Sequence, residues 1–152
     1  KSKNCNMNTI QATELRIGNW VYDDDGIESR VIGFQPFGHS VRCDEAEGCD
    51  VLIDLFPQDG SIRYGLICES SAIKPIPLNE DWLVRFGFEL VEKQYDAQEF
   101  NVYKNSYFTW NSNHGWWFCN INIENKAKIK YVHQLQNLYF ALTGIELTLT
   151  DK

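Results

Sequence analysis

Residues 131–145, YVHQLQNLYFALTGI, form the longest stretch of the chain with one clear period. Its apolar residues recur at steps of three and four, which places them on one face of an α-helix about four turns long. Gly144 can take the left-handed conformation that ends a helix, and Ile145 is expected to fold back onto Phe140 in a Schellman motif. The residues predicted to face inward are Val132, Leu135, Leu138, Tyr139 and Leu142.

The opposite face of this helix is polar but carries no charge. It holds His133, Gln134, Gln136 and Asn137, with Phe140 among them. Because a surface helix ordinarily carries charged residues there, we expect this face to be covered by the rest of the chain or by a partner. One hypothesis makes these five residues a binding site for a protein or ligand. The alternative, which we favour, is that the amides pair backbone groups of a neighbouring sheet.

The N-terminal half contains short runs of strand-forming residues separated by turn residues. An Asp-Gly turn at Asp25 and Gly26 joins the first two runs in a hairpin. The spacing predicts a small antiparallel barrel or strongly bent sheet over residues 14–76. The opening Ile17, Gly18, Asn19 and Val21 resembles the first strand of SH3-like small barrels, which implies an SH3-like module. Residues 1–13 are predicted to be a disordered leader.

Two prolines, Pro75 and Pro77, indicate a change of architecture. Asn79 is a good N-cap for a short helix over residues 79–86, which Gly87 can end. Aromatic strands follow, and the helix after residue 131 is their natural cover. We therefore predict an α+β fold, in which the barrel-like module precedes an α-β-β-β-α unit over residues 77–152 with its last helix packed on the sheet.

Two motifs support a resemblance to a known family. KPIPLxEDWLxxFGF at residues 74–88 and KYVHQLQNLYFALTGxEL at residues 130–147 resemble an uncharacterised family of short proteins from gut Bacteroidales genomes, phages and mobile elements. The ELRIGNWV opening matches less strongly, and residues 35–70 are not covered. The resemblance implies a cellular setting, and it implies no mechanism, cofactor or catalytic residue.

Composition restricts the classes of function. The net charge is −7, and ten of the 21 acidic residues lie in residues 22–60, which disfavours nucleic-acid binding through that region. The five cysteines form no CxxC pair, and neither a signal peptide nor a membrane-spanning apolar run is present. We therefore expect a reduced, cytoplasmic protein that does not enter a membrane.

A nucleic-acid or nucleotide contact is an alternative function. Lysines alternate with other residues at the end of the aromatic region, which puts three ammonium groups on one side of an extended segment. Neighbouring tryptophans could then stack on bases. The residues of this hypothesis are Lys126, Lys128, Lys130, Trp110, Trp116 and Trp117. We favour the interpretation that the lysines protect an edge strand.

Metal binding and catalysis have weaker signals. The acidic loop at residues 44–50 lacks the spacing of an EF-hand. The step from Cys43 to Cys49 is not that of a zinc knuckle, even with His39 and Cys68 nearby. No nucleophile elbow, P-loop or dinucleotide motif occurs. An enzyme would therefore need a site assembled from distant residues, with His39, His114 or His133 beside a carboxylate or thiol. We predict no metal site and no cofactor.

These observations together favour a non-catalytic binding or adaptor protein of a phage or mobile element. It would act through contacts with an unidentified protein partner or through self-association. The uncharged helix face and the acidic N-terminal half are the features on which this expectation depends.

Overall fold

The computed structural model describes residues 10, 12–36, 49–57, 60, 63–68, 73–94, 100–112, 115–118, 121–122 and 129–150. Within these residues the fold is α+β, as predicted, with two antiparallel sheets and a C-terminal helix. The described chain divides into two compact units. Unit 1 comprises Lys1–Pro77 with Tyr131–Leu138, and unit 2 comprises Leu78–Lys130 with Tyr139–Lys152.

Unit 1 contains a 3-10 turn followed by a five-stranded sheet. The sheet order is β4-β3-β2-β1-β5, and every neighbouring pair is antiparallel. The turn spans Ala12–Glu14, and the strands are β1 Trp20–Tyr22, β2 Glu28–Pro36, β3 Cys49–Pro57, β4 Arg63–Cys68 and β5 Lys74–Pro75.

Unit 2 contains a second sheet of five strands in the order β10-β9-β8-β7-β6. The strands follow a short helix, α1, and precede a longer one, α2. The predicted α-β-β-β-α order had too few strands, because the aromatic region divides into more short strands than its polar turns suggested. The elements are α1 Glu80–Arg85, β6 Glu89–Gln94, β7 Phe100–Lys104, β8 Phe108–Asn111, β9 Gly115–Phe118, β10 Ile121–Asn122 and α2 Val132–Thr143.

The core of unit 1 is aliphatic and joins the sheet to the residues that precede it. Ile10 is buried there, although it falls within the stretch predicted to be a leader. The predicted hairpin turn is confirmed, with Gly26 at φ +77° between β1 and β2. Asp23 braces this turn, because its Oδ1 accepts from the backbone N–H groups of Asp25 and Ile27. The buried cluster is Ile10, Leu15, Val21, Val31, Ile53, Leu55 and Ile73.

The core of unit 2 is built from aromatic rings. Phe108 of β8 stacks on Tyr139 of α2 with ring centroids 5.2 Å apart. Trp116 meets both Phe88 and Phe108 edge to face, an arrangement that aromatic pairs favour. Within this unit the C-terminal part of α2 therefore contacts the sheet through Tyr139.

The helix ends follow local rules. Asn79 caps α1 by accepting from the backbone N–H of Trp82, as predicted. Gly87 at φ +79° then closes α1 in a Schellman motif, with Phe88 N–H donating to Leu83 C=O.

Helix α2 ends differently from the prediction. Gly144 N–H donates to Phe140 C=O at 2.8 Å, which is the simpler αL motif. Ile145 is 49% exposed, and its N–H donates to the Thr143 hydroxyl instead of continuing a Schellman pattern. Leu142, which was predicted to face inward, is 43% exposed.

Candidate functional site

The polar face of α2 is the candidate site within unit 1. Its first two turns lie beside residues 14–20, the segment that leads into β1. Tyr131 precedes the helix, and its backbone N–H donates to Gln134 Oε1 at 3.3 Å. Gln134 thereby supplies the reach-back half of a capping box, which helps to fix where the helix begins.

Gln136 is 2% exposed and bonds to two backbone groups of the segment. Its Oε1 accepts from Trp20 N–H at 2.9 Å, and its Nε2 donates to Gly18 C=O at 3.0 Å. The amide therefore occupies a backbone donor and a backbone acceptor just where β1 begins. This pairing is the structural alternative favoured from the sequence, and for Gln136 it is confirmed.

Asn137 extends the same network. Its Nδ2 donates to Glu14 C=O at 2.7 Å, and its Oδ1 accepts from Asn19 Nδ2 at 3.0 Å. Asn19 Oδ1 in turn accepts from Arg16 N–H at 2.7 Å, and Asn19 is only 1% exposed. The uncharged face is thus covered here by the chain itself, and its amides hold residues 14–20 in one conformation.

His133 is the exception in this network. It is 1% exposed, and among the described residues neither ring nitrogen has a hydrogen-bond partner. Its ring stacks on that of Tyr131, with centroids 5.9 Å apart and planes inclined by 8°. Glu14 Oε2 lies 3.9 Å from Nε2, which is too long for a hydrogen bond.

The electrostatics of His133 follow from this environment. Burial lowers its pKa from the ordinary 6.5 to about 4, because a charged imidazole in this position would lack the hydration that it has in water. The Glu14 carboxylate is about half exposed, and solvent screening keeps it from offsetting this effect. His133 is therefore neutral at pH 7.

The predicted five-residue set does not form one accessible surface. His133 and Gln136 are buried, Asn137 and Gln134 are half-buried with bonds to backbone groups, and these four belong to unit 1. Phe140 is half-buried and belongs to unit 2. The second face of α2 is thus covered within the chain at its first two turns.

The nucleic-acid hypothesis loses one of its proposed stacking platforms. Trp116 is 1% exposed in the aromatic core, so it presents no ring face to a base. Trp110 is half-buried and contacts Tyr103 and Trp116. Lys130 is exposed, and its C=O accepts from Leu78 N–H at 2.9 Å.

Several candidate residues lie outside the described part of the chain. They are Lys126, Lys128, the side chain of Trp117, His39, His114, Cys43, the side chains of Cys49 and Cys68, and the acidic loop at residues 44–48. Among the described residues no group of three or more His, Cys, Asp or Glu side chains is placed to hold a metal ion. Likewise, no described helix combines the length and apolarity needed to cross a bilayer.

Sequence reasoning missed an exposed aliphatic set in unit 2. Val84 on α1 and Leu90 and Val91 on β6 are 37%, 48% and 56% exposed. Between Leu90 and Glu92 the register with β7 shifts, which leaves Val91 as the extra residue of a β-bulge. A signal was available, because consecutive Leu and Val in FELVEKQ break the alternation of a half-buried strand.

Comparisons with known proteins add no relative. No protein-family model matches the chain, and neither the curated proteins nor the solved structures contain a match.

Proposed function

We propose that this protein is a non-catalytic binding or adaptor protein that acts through protein contacts. The observation that carries the proposal is the aliphatic set Val84, Leu90 and Val91 in unit 2, each more than one third exposed. Apolar side chains grouped within eight residues favour a protein surface as their partner, because burying them removes apolar area from water.

Strand β6 gives this surface a second means of binding. It is the last strand of its sheet among the described strands, so one side of its backbone is not paired within that sheet. An edge of this kind can add an extended segment of a partner, with backbone hydrogen bonds supplying affinity and side chains supplying selectivity. The bulge at Val91 interrupts the regular spacing of backbone groups along this edge, which disfavours non-specific strand pairing. It favours a partner strand whose backbone fits the bulge.

Site-specific photo-crosslinking tests the proposal. A photoreactive amino acid replaces Val91 in the full chain, and a matched variant carries it at Ile17, which is 60% exposed in unit 1. We expect protein adducts of defined mass from position 91 and not from position 17. Leu90→Asp should abolish these adducts while the circular dichroism spectrum stays unchanged.

Two outcomes would oppose the proposal. Equal adducts from positions 17 and 91 would indicate non-specific contact, and adducts that persist in Leu90→Asp would place the partner elsewhere. Light scattering of the wild-type chain distinguishes self-association from binding of another protein, because a dimer doubles the mass in the absence of any partner.

The cellular setting is part of the same proposal. The resemblance over residues 74–88 and 130–147 supports a phage or mobile element of gut Bacteroidales, and the cysteine pattern supports a cytoplasmic location. Sequencing the DNA on both sides of the gene tests the origin. Integrase, capsid or transfer genes beside it would support the proposal, and a purely chromosomal neighbourhood would oppose it.

The fold proposal is that β1–β5 form a small SH3-like barrel. The order β4-β3-β2-β1-β5 with antiparallel neighbours supports it, since β1 lies between β2 and β5. The register shift in β2 between Val31 and Gly33 also supports it, because bulges bend strands toward closure. Hydrogen bonds between β4 and β5 in a crystal structure would establish that the sheet closes into a barrel, and a sheet that stays open there would refute the proposal.

A further inference from the structure

We propose that His133 makes the attachment of residues 14–20 to α2 sensitive to acid, so that protonation of its buried imidazole releases this segment. The proposal concerns unit 1 and is independent of the binding surface proposed for unit 2.

His133 contrasts with its neighbours on the same helix face. Gln136 and Asn137 each bond to residues 14–20 through both ends of their amides. His133 lies on the same face, one turn before Asn137, and among the described residues it bonds to nothing through its ring. Its ring therefore contributes no hydrogen bond to the attachment. A Phe side chain, which has no polar atoms, would be buried there at a lower cost in free energy.

A proton on the His133 imidazole would place a charge in a buried position. A charged imidazole has two N–H donors, and a buried charge needs acceptors for both. The one charged group placed near it by the described contacts is Glu14, at 3.9 Å, and α2 itself carries no charged residue. Tyr131 offers a ring face and no acceptor within the stack.

Glu14 connects His133 to residues 14–20. Glu14, whose backbone C=O accepts from Asn137, is the same residue whose carboxylate approaches His133. A proton on His133 is accommodated either by drawing the Glu14 carboxylate inward or by exposing the ring to water. Either movement displaces the start of the segment from its bonds with Asn137 and Gln136. Release of the segment returns the charged imidazole to water.

The test follows the backbone amide of Trp20, which is bonded to Gln136, by hydrogen exchange in the full, isotope-labelled chain. The intrinsic exchange rate at each pH is divided by the measured rate to give a protection factor. We expect protection at Trp20 to fall by about 100-fold between pH 7 and pH 4, because the shift from 6.5 to about 4 allows about 300-fold in full and the folded imidazole is half protonated at pH 4. The amide of Phe88, in the Schellman motif of unit 2, is the internal control.

Two variants identify the sensor. His133→Phe removes the titrating group and keeps a ring of similar shape, so Trp20 protection should become nearly independent of pH in this range. Glu14→Gln removes the neighbouring charge and leaves the imidazole buried, so the pH dependence should persist. Parallel losses at Trp20 and Phe88 in the wild type, a retained dependence in His133→Phe, or its disappearance in Glu14→Gln would each overturn the proposal.

A direct titration keeps the proposal testable if His133→Phe fails to fold. The ring carbon resonances of His133 in the wild-type chain report its protonation. We expect its midpoint well below the ordinary value, at the acid end of the pH range in which Trp20 protection falls. A midpoint near 6.5 with Trp20 still protected would overturn the proposal.

Discussion

Gln136 accepts a hydrogen bond from the backbone N–H of Trp20 at 2.9 Å, which joins residues 116 positions apart in the chain. Because Gln136 also donates to Gly18 C=O, Gln136→Leu would leave two backbone groups without their partner. We expect this change to lower the free energy of unfolding by about 2–4 kcal/mol, since each unsatisfied buried group costs about 1–3 kcal/mol. Urea denaturation at neutral pH measures the change.

Gln134→Leu is the matched control for this substitution. Gln134 is half-buried, and its bond to Tyr131 N–H is 3.3 Å long. Loss of this hydrogen bond should lower the free energy of unfolding by less than about 1 kcal/mol. Equal losses in the two variants would mean that the bonds to β1 contribute no more than an ordinary helix cap.

His133 should make global stability depend on pH. The lowered pKa means that the unfolded chain binds a proton between pH 6.5 and about 4 while the folded chain does not. The contribution of His133 to the free energy of unfolding is therefore fully present above pH 6.5 and is lost as the pH falls toward 4. The loss is about 3 kcal/mol at about 1.4 kcal/mol for each pH unit.

Comparison with His133→Phe isolates this contribution. Urea titrations of both proteins at pH 7 and pH 4 contain the same contributions from the carboxylates, which cancel in the difference. We expect the wild type to lose about 3 kcal/mol more than the variant. Identical losses would mean that the imidazole reaches water in the folded state.

Gly87 and Gly144 end their helices with similar dihedral angles but in different surroundings. Both have positive φ, at +79° and +70°, so alanine costs about 1 kcal/mol at either position from the backbone alone. A Cβ at Gly87 would also lie 2.8 Å from Thr150 Cγ2, whereas a Cβ at Gly144 meets nothing within 4 Å. Gly87→Ala should therefore be the more destabilising by about 1 kcal/mol or more.

Thr150→Ser separates the steric contribution from the dihedral one. Serine removes Cγ2 and keeps the hydroxyl that donates to Arg85 C=O. In the Thr150→Ser background the two alanine variants should have similar midpoints of thermal unfolding. A persistent difference between them would place the extra cost in the Schellman motif itself.

Tyr103 links β7 to α1 through Glu80. Its hydroxyl donates to Glu80 Oε2 at 2.9 Å, while Asn101 Nδ2 donates to Oε1 at the same distance. Burial, followed by this hydrogen bond to Glu80, raises the pKa of Tyr103 above its ordinary 10. Its contribution to stability is thus present below pH 10 and is lost as the pH rises through the folded value.

Tyr103→Phe should cost about 1–2 kcal/mol at pH 7, because the lost bond is charge-assisted and partly buried. It should also remove part of the loss of stability at alkaline pH. Denaturation at neutral and alkaline pH measures both effects. Tyr107→Phe, at a side chain 38% exposed, should change neither by more than a few tenths of a kcal/mol. A Tyr103→Phe protein as stable as the wild type would contradict this account.

Local signals in the sequence predicted the local features well. The Asp25-Gly26 turn, the Asn79 cap and the glycines that end both helices each depend on a few adjacent residues, and each is confirmed. The α+β class followed from the same signals together with the period of residues 131–145. Five strands in unit 2 were not predicted, because strands such as β9 and β10, which are separated by two residues, read as one continuous run.

The sequence predicted the composition of the candidate site and the backbone-pairing role of its amides, but it did not predict their partners. The sequence identified an uncharged face that needed cover, yet Gln136 and Trp20 are related only through the tertiary fold. Periodicity also could not show that Leu142 is exposed, because a repeating pattern does not indicate where along the helix the packing ends, and no α2 residue after Tyr139 is buried. The exposed Leu90 and Val91 were missed because a bulge depends on the partner strand.

The division of α2 between the units has a consequence for the newly synthesised protein. The ribosome adds about 5–20 residues per second, so Gln136 follows Trp20 after about 6–23 s. During that interval β1 and β2 exist without the amide that receives the Trp20 N–H. A nascent chain halted before residue 131 has every described strand of unit 1, β1 to β5, and still lacks Gln136 and Asn137, which bond to residues 14–20. We therefore expect a chain arrested in the second half of the gene to expose residues 14–20 to proteolysis, although its strands are complete.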